Sequence, residues 1–125
     1  SQSGRLYILV EKQSGGGIDS YYTDDEGATV SMATVVSATG THVSVGINPM
    51  GKRIVCFRNT GNDLHRVIYD PQGNIITASS AVVASGVQND QTAISWRLGN
   101  WYLYYHDTSA GITQLVSVDD GETFA

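Results

Sequence analysis

Three stretches of the chain start on a glycine and run on through apolar or aromatic residues: GRLYILVEK from Gly4, GKRIVCFRN from Gly51 and GNWYLYYHD from Gly99. Successive copies lie 47 and 48 residues apart. A second set keeps the same step, with TDDEGATV around Gly27, YDPQGNII around Gly73 and SVDDGETF around Gly121, spaced by 46 and 48 residues. Two independent landmarks sharing one period mean that a supersecondary unit is repeated, which restricts the chain to folds in which such units bury their faces against one another.

The middle unit shows what is being repeated. His42 to Ile47 alternates loosely, NPMG turns, Arg53 to Arg58 predicts a second strand, NTGND turns, Leu64 to Tyr69 predicts a third, and DPQGN leads into a fourth from Ile75 to Val83. Each join carries the Gly, Asn, Asp or Pro that turns require, while the runs between favour a pleated sheet. Four antiparallel strands at this period are the pattern of a propeller blade. By the same alignment the first unit lacks its first strand, and the third stops where its last should begin. The expected fold is therefore all-β, about ten or eleven strands forming about two and a half four-stranded antiparallel blades of a β-propeller. The predicted division is a partial blade over 1–40, a blade over 41–86 and a partial blade over 87–125. Because blades bury apolar surface only against neighbours, exposed apolar residues are expected at both ends of the array, to be covered by other blades of a parent protein or by a homo-oligomer.

Composition fits this reading and excludes several functions. The 125 residues are 41% hydrophobic and 15% charged with 14 glycines, enough apolar material for a core and rich in turn-formers. A net charge of −5 leaves no basic stripe to neutralise phosphates, so no nucleic-acid partner is expected. Apolar runs such as Leu6 to Val10 fall far short of the roughly 20 residues a membrane-spanning helix needs. The chain opens on Ser1 rather than methionine, with no charged-then-apolar leader, and reads as a processed or cut start. One cysteine, Cys56, rules out an internal disulfide or a multi-cysteine zinc site, and its run Ile54-Val55-Cys56-Phe57 predicts a buried structural thiol.

The acidic turns carry a resemblance. SVDDGETF fits Ser/Thr-x-Asp-x-Gly-x-Thr-aromatic through Ser117, Asp119, Gly121, Thr123 and Phe124. TDDEGATV fits through Thr23, Asp25, Gly27 and Thr29, with Val30 in the aromatic place, whereas YDPQGNII keeps only the turn and Gly73. The pattern resembles the Asp-box (BNR repeat) of sialidase-like β-propellers, and the boxes recur in phase with the strand repeat over nearly the whole chain. The resemblance implies a peripheral strand-to-strand turn away from any ligand site, which makes these acids structural. In that role an aspartate accepts backbone N–H bonds, the glycine takes a positive φ, the hydroxyls tie the flanking strands, and the aromatic packs into the sheet. Asp24 and Asp120, at variable positions, are expected to face water.

The same resemblance sets a test for catalysis. Sialidases use three arginines to hold the substrate carboxylate, a tyrosine nucleophile activated by Glu, and an Asp acid/base. The chain has Arg5, Arg53, Arg58, Arg66 and Arg97 and seven tyrosines, but the aromatic-Arg-Ile-Pro motif is missing, the nearest string being Phe57-Arg58-Asn59-Thr60. No catalytic residues are assigned. His42, His65 and His106 are scattered without metal-ligand spacing, and SGGGID from Ser14 to Asp19 lacks the pattern of a phosphate cradle, so neither metal nor cofactor is expected. Carboxylates that brace a turn are likewise not free to gather the oxygens calcium requires. In the aromatic run, Trp101, Leu103 and Tyr105 fall on one strand face and Tyr102, Tyr104 and His106 on the other; packing between blades is expected to bury both, with Trp96 and Trp101 as candidate sugar-stacking residues. The expectation is a non-catalytic binding or structural module of an extracellular or virion-surface protein, glycan- or protein-binding. The alternative is a fragment of a sialidase-like glycoside hydrolase.

Overall fold

Every turn cluster between the apolar runs separates two strands. A computed structural model describes residues 4–13 and 16–125, so Ser14 and Gly15 of the SGGGID turn lie outside the described residues. Among the described residues there are ten strands and no helix, arranged in three antiparallel sheets. The chain divides into two compact units, one ending at Thr41 and the other starting at His42.

The first unit holds β1 (Leu6–Glu11), β2 (Ile18–Thr23) and β3 (Ser31–Ser37), in the order β1-β2-β3. Register places Tyr7 opposite Tyr22, with their rings 6.4 Å apart, and Ile8 opposite Tyr21. Ile18 is fully buried, while Leu6, Ile8 and Val10, alternating along β1, are all exposed. This is the half-buried alternation of a sheet with one open face.

The second unit contains β4 (Thr41–Ile47), β5 (Arg53–Arg58), β6 (Leu64–Tyr69) and β7 (Ile75–Val83) in sequential order, then a separate sheet of β8 (Ala93–Arg97), β9 (Asn100–Asp107) and β10 (Gly111–Ser117). Strands β5, β6 and β7 have the bounds expected from their flanking turns, and β4 begins one residue earlier, at Thr41. NPMG and DPQG close in the same way: Asn48 and Asp70 each accept two backbone N–H bonds on a side-chain oxygen, from Met50 and Lys52 and from Gln72 and Asn74. These Asx-type bonds satisfy the turn's own donors and explain why so short a sequence signal sufficed.

Ile54 and Ile68, cross-strand partners, join Cys56 and Leu64 from one sheet with Ile94, Trp101, Leu103 and Tyr105 from the other in a single core. Gly46 admits the Trp101 ring: a Cβ there would meet Trp101 Cζ3 at 3.0 Å. Close packing of this kind fixes how two sheets sit on each other. Only one face of the aromatic strand is core. Trp101, Leu103 and Tyr105 are buried, whereas Tyr104 on the other face is 38% exposed within the chain. Cys56 is fully buried, and burial pushes its thiol up despite the nearby Arg66 charge.

Candidate functional site

The acids of the two SVDDGETF-like turns are consumed locally, and in the same way in both. Ser117 Oγ donates to Asp119 Oδ1 at 2.8 Å and accepts from Gly121 N–H at 2.8 Å. Asp119 also accepts the N–H of Thr123 at 2.9 Å and its hydroxyl at 2.5 Å. Thr23, Asp25, Gly27 and Thr29 repeat the network at 2.8, 2.9, 2.8 and 2.6 Å. In each turn two consecutive residues have positive φ, Glu26 (58°) with Gly27 (93°) and Asp120 (60°) with Gly121 (92°), as a type I′ turn demands. The hydroxyls of Thr23 and Ser117 therefore serve the turn itself rather than bridging strands, which corrects that part of the expectation. The Thr123 hydroxyl, then its N–H, then Ser117 hold the Asp119 carboxyl down at about 2, and Thr29 and Thr23 do the same for Asp25, also at about 2. Groups so held are permanent anions at neutral pH, the opposite of a general acid.

Asp24 and Asp120 do not simply face water. Arg5 forms a two-pronged pair with Asp24, both contacts at 2.7 Å, and its guanidinium lies 4.1 Å over the Tyr22 ring. Asp120 accepts from Lys52 Nζ at 2.5 Å and from Trp101 Nε1 at 3.2 Å. Burial opposes ionisation of Asp120, but Lys52 and Trp101 outweigh it and hold its carboxyl below the ordinary range. Their partners come from the surroundings of each turn, not from the turn itself. Asp120→Ala, which strands the buried indole N–H, is expected to cost about 1 kcal/mol after allowance for the half-exposed ion pair. Asp24→Ala removes only an exposed pair and is expected to leave the thermal melt nearly unchanged. Melts of the two variants in one buffer check the split.

Arg66 and Arg58 are likewise committed to structural partners. Arg66, 5% exposed, donates to the carbonyls of Gly121 (2.9 Å), Glu122 (2.7 Å) and Ala78 (3.2 Å) and to Ser80 Oγ (2.7 Å). Arg58 Nε donates to Val87 O at 3.0 Å, and its remaining nitrogens reach the side chains of Asn62 and Asn89. Arg53 is 9% exposed, with its guanidinium 5.7 Å from the Tyr69 ring centroid. Arg5 and Arg97 are exposed, Arg97 at the end of β8.

What sequence spacing did not reveal is a polar cluster at the β7–β8 connection, at the end of these sheets away from the SVDDGETF turn. Backbone bonds from Val87 N–H to Asn62 O, Gln88 N–H to His106 O and Thr108 N–H to Gly86 O hold the segment to the β5–β6 and β9–β10 turns. His42 Nε2 then meets Asn89 Oδ1 at 2.9 Å, and His106 Nδ1 meets Asp90 Oδ2 at 3.1 Å. The His106 contact, followed by the Gln91 N–H, lowers the Asp90 carboxyl. Arg58, His42, Asn89, Asp90 and His106 thus place donors and acceptors of both charge signs on one partly exposed surface, suited to hydroxyl groups. His65 stands apart, stacked on Phe57 with ring centroids 5.6 Å apart. Among the described residues no three His, Cys, Asp or Glu side chains gather as a metal group.

The two tryptophans differ in exposure. Trp101 is wholly buried in the core beside Gly46, so the expectation that Trp101 offers a face to a sugar is corrected, and Trp96 packs, partly buried, against the same core.

No protein-family profile and no curated protein matches the sequence. Solved structures do. A Hadza microbial sialidase, Hz136, superposes with a TM-score of 0.67 at 16% identity over 98% of this chain and 27% of that one. The six-bladed β-propeller lectin of Aleuria aurantia gives 0.62 at 17% identity over 97% and 38%. A fucose lectin from Kordia zhangzhouensis, solved with methyl-fucoside, gives 0.64 at 13% identity over 98% and 90%. At these identities the likeness shows the fold: the chain is built as part of a β-propeller, of the kind shared by sialidases and fucose lectins. It spans well under half the length of the sialidase and of the Aleuria lectin.

Proposed function

We propose that the chain is a non-catalytic, carbohydrate-binding β-propeller module of an extracellular or virion-surface protein. The observation that carries this reading is the commitment of Asp25, Asp119, Arg58 and Arg66 to structural partners. Asp25 and Asp119 brace turns, Arg66 holds backbone carbonyls and Arg58 anchors the β7–β8 connection, so the groups that glycoside hydrolysis would draw on already have structural partners. On this reading the two acidic turns are Asp-boxes, and the sheets correspond to a partial blade over 1–40, a blade over 41–86 and a partial blade over 87–125. The surface around His42, Asn89, Asp90 and His106 is the binding site, its amide, imidazole and carboxylate groups bonding to sugar hydroxyls as polar groups in such sites do.

Isothermal titration with methyl α-L-fucoside and with a sialoside tests it, alongside a fluorogenic sialoside assay. Saturable binding to one of the two glycosides, weakened at least tenfold by Asn89→Ala with an unchanged circular dichroism spectrum, is the expected result, with no turnover. Binding of neither, or turnover abolished by changing one arginine, would overturn the proposal, the latter in favour of a sialidase-like hydrolase fragment.

A further inference from the structure

The repeat places equivalent residues in unequal surroundings. Leu6, Ile8 and Val10 on β1 stand 47 residues before Arg53, Val55 and Phe57 on β5. The β5 residues are 9%, 3% and 1% exposed, whereas Leu6, Ile8 and Val10 are 58%, 36% and 43% exposed. The corresponding face of β9, through Trp101, Leu103 and Tyr105, is buried as well. Met32, 51% exposed, extends the open face, because Tyr21 pairs with both Ile8 and Met32.

The turn glycines show the same contrast. Gly121 carries Ile54 so closely that a Cβ would lie 2.2 Å from Ile54 Cδ1, whereas a Cβ on Gly27, at nearly the same φ, would meet nothing within 4 Å. Phe124 packs against the core, while Val30 in the same place of the other turn is 52% exposed. Within the second unit, Ile54 and Arg66 form one half of an interface whose other half is the Gly121 turn and β9. The first sheet presents the second half again, uncovered.

The first half recurs too. Forty-eight residues after Ile54, Cys56 and Arg66 come Tyr102, Tyr104 and Gln114. Tyr104 pairs with Gln114, on the β9–β10 face turned away from Trp101 and Leu103. Tyr104 is 38% exposed where Cys56 is buried, and Gln114 keeps an amide donor where Arg66 offers a guanidinium.

We propose that this β9–β10 face of one copy seats on the β1 face and Gly27 turn of a second copy, so that copies of the chain associate head to tail. The occupant is a second copy because both uncovered halves lie on this one sequence. Each is the repeat equivalent of a half that already meets its complement between the β4–β7 and β8–β10 sheets, so the new contact continues an existing interface. Tyr102 takes the place of Ile54 over Gly27, and the Gln114 amide faces the Gly27 and Ala28 carbonyls. A heterologous contact of this kind closes into a ring when its rotation permits.

Sedimentation velocity of the 125-residue chain at micromolar concentration tests the assembly. The expected species is a discrete oligomer. Ile8→Glu spoils one half and Tyr104→Glu the other; each variant alone is expected to sediment as a monomer with a wild-type β circular dichroism spectrum. Mixed, the two retain one intact junction per pair and are expected to give a one-to-one dimer. Should Ile8→Glu lose its β spectrum, Met32→Glu on the same row replaces it. A folded wild-type monomer, a variant that still assembles as wild type, or a mixture that stays monomeric would each overturn the proposal.

Discussion

Gly121→Ala is expected to cost about 2–5 kcal/mol, by combining strain at positive φ with overpacking. The backbone there sits at φ 92°, and the added Cβ would lie 2.2 Å from Ile54 Cδ1. Ile54 is fully buried among Ile68, Trp101 and Leu103, so its terminal methyl has no open space to turn into. Gly27→Ala is the control. It has nearly the same φ but meets no neighbour among the described residues, so about 1–2 kcal/mol of backbone strain is expected alone. Urea unfolding of both variants gives the comparison; equal losses would mean that the Gly121 turn is not seated on Ile54.

Arg66→Met is expected to cost about 2–4 kcal/mol, because four acceptors lose their donor in a buried setting while the methionine replaces much of the packing. Two of those acceptors, the Gly121 and Glu122 carbonyls, belong to the acidic turn, so the variant should loosen that turn first. Arg66→Lys is expected to recover little, since a single ammonium cannot span carbonyls on both sides of a planar fork. Amide hydrogen exchange at Gly121 and Thr123, faster in Arg66→Met than at Ile68, would show the local effect. Uniform acceleration would assign Arg66 a general packing role.

The strands of the middle sheet were legible because their turns are written locally: Asn48 and Asp70 satisfy N–H groups two and four residues on, within reach of any sequence window. The two acidic turns were legible for the same reason. Arg66 was not, because its turn partners lie 55 and 56 residues away and nothing in LHRVIY marks an arginine that faces the core. Asp120 was misread as a free surface acid because Lys52 is 68 residues distant. The histidine cluster was missed since no motif spacing relates His42 to His106; the β7–β8 segment brings them together through Asn89 and Asp90. Strand alternation separated the two faces of the aromatic run correctly, but alternation cannot tell which face meets a neighbour.

Whether the acids of the two acidic turns are structural anions or catalytic groups is decided most directly by their titration. A general acid of a glycosidase needs a raised pKa, whereas the bonds to Asp25 and Asp119 hold both carboxyls at about 2, below the ordinary 3.8. A depressed folded-state pKa contributes stability that is fully present above about pH 4 and lost as the pH falls through about 2, so acid unfolding should follow the same titration. The measurement is the carboxyl carbon shift of each aspartate by NMR as pH is lowered, with Asp25→Asn and Asp119→Asn for assignment. Midpoints near 2 at both residues are predicted, and a midpoint above the ordinary 3.8 at either would contradict the structural role of these turns.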